Sequence, residues 1–192
     1  MGENEGSGGN DPRPNPVECP AWVRPSWTGD HLHSSVYEWV GKTVADRGLA
    51  GQSVIEVGSC NVNGTVRDFF SGQYVGVDVS PGNGVDRVED CEHLSDPNAA
   101  WDVVVSTEAL EHVRRPHVAV NEMARICKPG GTVLLTARGY DNRGCWEVHS
   151  WPNDVTRFSA LGMQTLAEDA GLTVLEVTTD PEGPGFFLLA VK

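Results

Sequence analysis

Short apolar runs alternate with amphipathic stretches through most of the chain, and this alternation limits the fold more than any other feature. SVIEVG, from Ser53, reads as a buried strand, and VNGTVRDFF opens a helix after it. YVGVDVS is a second strand, GVDRVED a shorter one, and WDVVVST a fourth. HVAVNEMARIC has helical spacing and stops at KPGG, after which TVLLTAR returns to strand. SALGMQTLAEDAG is a helix that Gly171 is placed to end. LTVLEVTTD and GFFLLAVK close the chain as two strands joined by a Pro/Gly turn too short for a parallel crossover. Upstream, Val36, Trp39, Val40, Val44 and Leu49 mark one further helix. Strands alternating with helices imply an α/β fold. The expected form is a doubly wound, seven-stranded, mostly parallel sheet with an antiparallel last strand.

Residues 1–30 are rich in Gly and Pro and read as a flexible tail, in which Trp22 and Trp27 are expected to dock somewhere. Residues 31–192 read as the domain. The first thirty residues carry no apolar segment of the signal-peptide kind, and no apolar run approaches a membrane span. The five cysteines form no C-x-x-C pair, which argues for reduced thiols and a cytoplasmic location, against a zinc ribbon or a disulfide framework. A net charge of −13 discourages contact with nucleic acid backbones. The partner expected is therefore a small molecule, with neither nucleic acid nor membrane; nothing in the pattern sets the oligomeric state. Glu108 and His112 stand four apart, as metal ligands on one helix face would, but no third partner is in sight and no metal is expected.

In such a sheet the ligand lies at the carboxyl ends of the strands, where strand order reverses. Glu56, Gly58, Asp78, Asp90 and the stretch from Ser106 to Glu108 belong there. Asp78 follows Gly58 by 20 residues, the separation at which an acid accepts from both ribose hydroxyls. A dinucleotide site wants G-x-G-x-x-G, so that backbone amides approach a pyrophosphate. Here Ser59, Cys60 and Asn61 follow Gly58, and Glu56 would repel phosphate. A carboxylate there suits an ammonium or a sulfonium. S-adenosylmethionine has a ribose, an ammonium and a positive sulfur, and lacks phosphate.

VIEVGSCNVNG, YVGVDVSPG, VED, WDVVVSTEALEHV and CKPGGTVLLT, in that order, resemble the successive motifs of class I S-adenosylmethionine-dependent methyltransferases. The resemblance runs from about Ser53 to Lys192 and implies the Rossmann-like methyltransferase fold, with S-adenosylmethionine as cofactor. It implies Glu56 and Gly58 near the methionine moiety, Asp78 on the ribose, Asp90 and Cys91 beside the adenine, and Ser106, Thr107 and Glu108 on the pocket floor. Ser59, Asn61 and Val79 are counted with them as cofactor-binding. The chain departs from the family at Cys60, where the usual E/D-x-G-x-G-x-G has its second glycine; a side chain there is expected to narrow the methionine end.

After the fifth strand the chain gathers Tyr140, Trp146, His149, Trp151, Asp154 and Arg157. The pattern H-x-x-P-x-D-x-x-R-F resembles one in methyltransferases of sugar and glycan pathways. Tyr140, Trp151, Asp154 and Arg157 are substrate-binding candidates, although Asp154 and Arg157 read more readily as an ion pair holding the loop. His149 is the first candidate for a general base and His112 the second. The function expected is methyl transfer from S-adenosylmethionine to a small-molecule or saccharide acceptor, at an oxygen. The alternatives are a non-catalytic module that keeps the fold and a nicotinamide-dependent oxidoreductase, which the missing G-x-G-x-x-G disfavours.

Overall fold

The computed structural model describes residues 34–62, 64–140 and 155–192. The expected tail therefore lies outside the described residues, as do Trp146, His149, Trp151 and Asp154.

Helix α1, Ser34–Arg47, precedes the sheet. Then come β1 (Val54–Val57), β2 (Tyr74–Asp78), β3 (Arg87–Val88), β4 (Trp101–Ser106), helix α2 (Pro116–Ile126) and β5 (Cys127–Arg138). Helix α3 (Ala160–Asp169), β6 (Thr173–Thr179) and β7 (Gly185–Val191) complete the order. The strands form one seven-stranded sheet in the order β3-β2-β1-β4-β5-β7-β6. All pairs from β3 to β5 are parallel, and β7 runs antiparallel to both β5 and β6, as the short final connection requires.

Residue alternation along the strands divides the core between two faces. Val54, Val103, Val105, Leu134 and Leu189 pack with Val40 and Val44 of α1. Ile55, Val57, Val104, Val133 and Leu135 pack on the other face with Met123, Ile126 and Met163 of α2 and α3. Val103, Val104 and Val105 are each 0% exposed, so β4 is covered on both sides and reads as a continuous apolar run. Each such valine contributes about 1.5 kcal/mol or more on burial.

Local chemistry sets the ends of the helices. The Glu182 carboxylate, in the β6–β7 turn, accepts from Ser34 Oγ at 2.6 Å and the Ser35 N–H at 3.1 Å, placing an anion at the N-terminus of α1. Ser159 caps α3 by accepting from the Gly162 N–H at 3.0 Å. Gly171, at φ +80°, ends it as expected.

The sequence misleads at one place that matters. The helix expected to open with VNGTVRDFF is only a single 3-10 turn, Arg67–Phe69. Asn61 Oδ1 accepts from the Gly64 N–H at 2.8 Å, and Thr65 Oγ1 accepts from the Arg67 N–H at 3.1 Å. These side-chain acceptors take amide hydrogens in turn geometry in place of a helical ladder. Two smaller differences concern strands: β3 is two residues long, and β5 starts at Cys127, with an irregular register across the KPGG stretch where Gly130 has φ +78°.

Candidate active site

Strand order reverses between β1 and β4, and the carboxyl ends of β1, β2 and β4 border a cleft of about 300 Å³. Of the residues expected at the cofactor, Gly58, Asp78, Val79, Cys91 and Ser106 line it. Cys60, Glu89, Leu110 and His112 line it as well.

The turn after β1 is built around Gly58, at φ +83°. A Cβ on Gly58 would stand 2.4 Å from Ala109 Cβ, so packing of the loop after β4 already demands glycine here. The amides of this turn are all committed within the protein. Gly58 and Ser59 donate to Val77 O at 2.9 and 3.0 Å, and Asn61 donates to Asn83 O at 2.7 Å. Cys60 donates to Asp78 Oδ2 at 3.2 Å. A pyrophosphate needs free amides, and this turn offers none from Gly58 to Asn61.

Asp78 also accepts from the Ser80 N–H through Oδ1 at 2.9 Å, so both its oxygens are held while keeping lone pairs to spare. The Ser106 hydroxyl is buried in the wall with no partner among the described residues. A buried hydroxyl left over at a cleft fits a polar group of a ligand. Val57, Val77, Val79 and Leu110 give the cleft apolar walls, against which a flat base can lie. These groups fit S-adenosylmethionine. Cys60 lines the cleft, and its Sγ lies close to the turn after β2, where a Cβ on Gly82 would meet it at 2.5 Å.

Six expected cofactor residues stand outside the lining. Glu56 is 5% exposed, and its Oε2 accepts from the Tyr74 hydroxyl at 2.8 Å. Burial raises its carboxyl to about 7, against the opposing pull of Tyr74 and Arg67. Ser59 is buried, and Asn61 closes its own turn onto Gly64. Asp90 Oδ1 accepts from the Glu92 N–H at 2.9 Å; Glu89, its neighbour, lines the cleft. Thr107 precedes Glu108, whose φ of +49° is uncommon for a side-chain-bearing residue. Glu108 accepts from Thr136 Oγ1 at 2.9 Å and pairs with Arg138 Nε at 2.6 Å.

Of the acceptor-side candidates, His112 lines the cleft, Tyr140 is half exposed and Arg157 is buried. His149, Trp151 and Asp154 lie outside the described residues. Glu111 went unnoticed in the sequence. It is 0% exposed, and neither carboxylate oxygen has a hydrogen-bond partner among the described residues. Burial, then the nearby Glu108, raises its carboxyl to about 8, with Arg138 and Arg157 opposing. Its carbonyl accepts from the N–H groups of Val155 and Thr156 at 2.9 and 3.1 Å. Sequence gave one signal, an acid beside His112 in LEH. Among the described residues, Asp90, Glu92 and His93 also bring donor atoms within 4.8 Å of one another, but Glu92 is committed to Arg115.

A family model described as a methyltransferase domain matches residues 41–177, from α1 to well into β6. The chain belongs to the methyltransferase domain family. Among curated proteins, it is 27% identical over 154 residues to the "Probable phthiotriol/phenolphthiotriol dimycocerosates methyltransferase 2" of Mycobacterium ulcerans, covering 72% of this chain and 55% of that one. It is 26% identical over 149 residues to the fatty-acid O-methyltransferase of Mycolicibacterium smegmatis, covering 70% and 53%. The chain thus spans about half the length of the curated relatives it matches. Among solved structures, the Burkholderia thailandensis 1,6-didemethyltoxoflavin-N1-methyltransferase, bound to 1,6-didemethyltoxoflavin and S-adenosylhomocysteine, shares the fold. Its TM-score is 0.67 at 11% identity, with 83% of this chain and 79% of that one covered. The methyltransferase domain takes S-adenosylmethionine as its cofactor. No helix among the described residues is long and apolar enough to cross a membrane.

Proposed function

We propose that this methyltransferase domain methylates an oxygen of a small-molecule or saccharide acceptor, in the cytoplasm. The observation that carries the cofactor half of this reading is the turn after β1: its amides are spent from Gly58 to Asn61, and Asp78 stands beside it with acceptor capacity left. Asp78 would hold the ribose hydroxyls, Val79 and Cys91 the adenine end, and Glu56 the ammonium. Bound there, S-adenosylmethionine supplies an activated methyl group on a positive sulfur. The chain's own task is then to align an acceptor, exclude water and take up a proton. His112, on the cleft wall, supports an oxygen acceptor because it can accept that proton; His149 is the other base in this reading. The fatty-acid O-methyltransferase among the relatives favours oxygen, and it widens the acceptor class to include lipid-like molecules. The acidic balance of the chain speaks against nucleic acid as acceptor. Free cysteines at 60, 91 and 127 accord with a reducing compartment.

Incubation of the protein with a cell extract and methyl-labelled S-adenosylmethionine, read by mass spectrometry, tests this reading. A labelled methyl ether or ester is the expected product. Label appearing only on nitrogen, or only on nucleic acid, contradicts the acceptor assignment.

A further inference from the structure

The two faces of the sheet are not covered alike. Helices α2 and α3 pack on one face, and among the described residues α1 is the only α-helix on the other. A helix after β1 would share that second face in a doubly wound fold. Here the 3-10 turn Arg67–Phe69 stands in its place, three residues long.

What this leaves beside α1 is aromatic. Phe69 lies against α1 where Gly41 gives it room: a Cβ on Gly41 would stand 2.7 Å from the Phe69 ring. Tyr37, in the first turn of α1, meets the same ring with 4.4 Å between centroids and stays 38% exposed. Phe70 and Tyr74 are 5.6 Å apart by the same measure and border the core on the α1 face. Phe69, Phe70 and Tyr74 are all half-buried. The Arg67 guanidinium lies over the Tyr74 ring, 4.7 Å from its centre, and pairs with Asp86. An apolar centre with a charged rim is the anatomy of a docking surface.

We propose that residues 1–33 of this chain dock on this surface through Trp22 and Trp27. Position, reach and composition select this occupant. The chain enters α1 at Ser34, within one helical turn of Tyr37. Trp27 stands seven residues before Ser34 and Trp22 twelve, so extended backbone carries either ring up to about 20–40 Å, far enough to lie back over Tyr37 and Phe69. In a segment rich in Gly and Pro, two tryptophans gain most by finding other aromatic rings. The tether holds them near the surface at a high effective concentration. A second copy of the chain has no such tether, and a net charge of −13 on each molecule repels it. The surface is on the opposite face of the sheet from Met123 in the cleft wall, so docking leaves that side of the cleft open.

Photo-cross-linking of the full chain tests this. With the photo-reactive residue benzoylphenylalanine in place of Tyr37, irradiation of dilute protein should join position 37 to the peptide that holds Trp22 and Trp27 in the same chain. A cross-link between chains, which would make a second copy the occupant, overturns the proposal. So does the absence of any cross-link to residues 1–33. Thermal unfolding gives a second reading. Trp22→Ala combined with Trp27→Ala should lower the melting temperature by about 2–4 °C. In a Tyr37→Ala background the same pair should lower it by about half as much or less, because the contact is already lost. An unchanged melting temperature, or an equal drop in both backgrounds, overturns the docking.

Discussion

The Cys60 N–H donates to Asp78 Oδ2 at 3.2 Å, so the turn after β1 and the tip of β2 hold one another in place. The other oxygen of Asp78 is fixed by the Ser80 N–H at 2.9 Å. The carboxylate that would meet a ribose is thus oriented by the protein's own backbone, which spares a ligand the cost of ordering it.

Asp78→Ala should weaken S-adenosylhomocysteine binding by about 1.5–3 kcal/mol, the loss expected for hydrogen bonds to a charged group. Calorimetric titration of the folded variant checks this, and an unchanged dissociation constant would remove Asp78 from the ribose.

Gly58→Ala should destabilise the fold by about 2–4 kcal/mol, combining a left-handed backbone with a methyl pressed into its neighbour. The backbone is at φ +83°, and the new Cβ meets Ala109 Cβ at 2.4 Å. From sequence alone, a side chain here is expected to collide with the ligand or its turn at only a modest cost to the fold; the contact with Ala109 makes stability the first casualty. Denaturant unfolding measures it, and a change below about 0.5 kcal/mol would contradict the packing described.

The strands were legible because burial on both faces leaves a plain signal: Val103, Val104 and Val105 have no polar option in a strand covered on two sides. The position of Asp78 followed from the same logic, since strand ends and turns are punctuated locally. The missing helix after β1 was not legible. Its apolar spacing is compatible with a helix, and the competing bonds from Asn61 and Thr65 depend on turn geometry. Tyr74 and Glu111 were invisible for another reason. Tyr74 matters only through its register against Glu56, and Glu111 only through burial beneath the segment at Val155 and Thr156. Both are long-range facts. Asp90 and Glu89 show the limit of reading strand ends, where one residue of offset decides which acid lines the cleft.

Glu111 makes a prediction about pH. Its folded carboxyl at about 8 lies above the ordinary value of 4.5, so its contribution to stability is complete below pH 4.5 and is lost as pH rises through 8. Glu111→Gln cannot ionise. The melting temperature of this variant should therefore gain on wild type steadily from pH 5 to pH 8. A constant difference across that range would mean that Glu111 titrates normally.

His149→Ala and His112→Ala separate the two proposed bases. The variant that removes the base should keep S-adenosylhomocysteine affinity near wild type and slow methyl transfer by about 10²–10⁴. It should also lose the dependence of rate on pH that a general base confers. Intact rates and pH profiles in both variants would point to an acceptor that needs no base.

The central claim is that the cleft between the ends of β1, β2 and β4 holds S-adenosylmethionine and not a phosphate-bearing dinucleotide. Thermal unfolding in the presence of S-adenosylhomocysteine or NADH, each at about 100 times a micromolar dissociation constant, tests it most directly. A ligand that binds at such excess stabilises the native state by about 2.7 kcal/mol. S-adenosylhomocysteine should raise the melting temperature by several degrees, a rise cut to about half or less in Asp78→Ala, with NADH leaving it unchanged. A rise with NADH alone, or with neither ligand, would contradict the account.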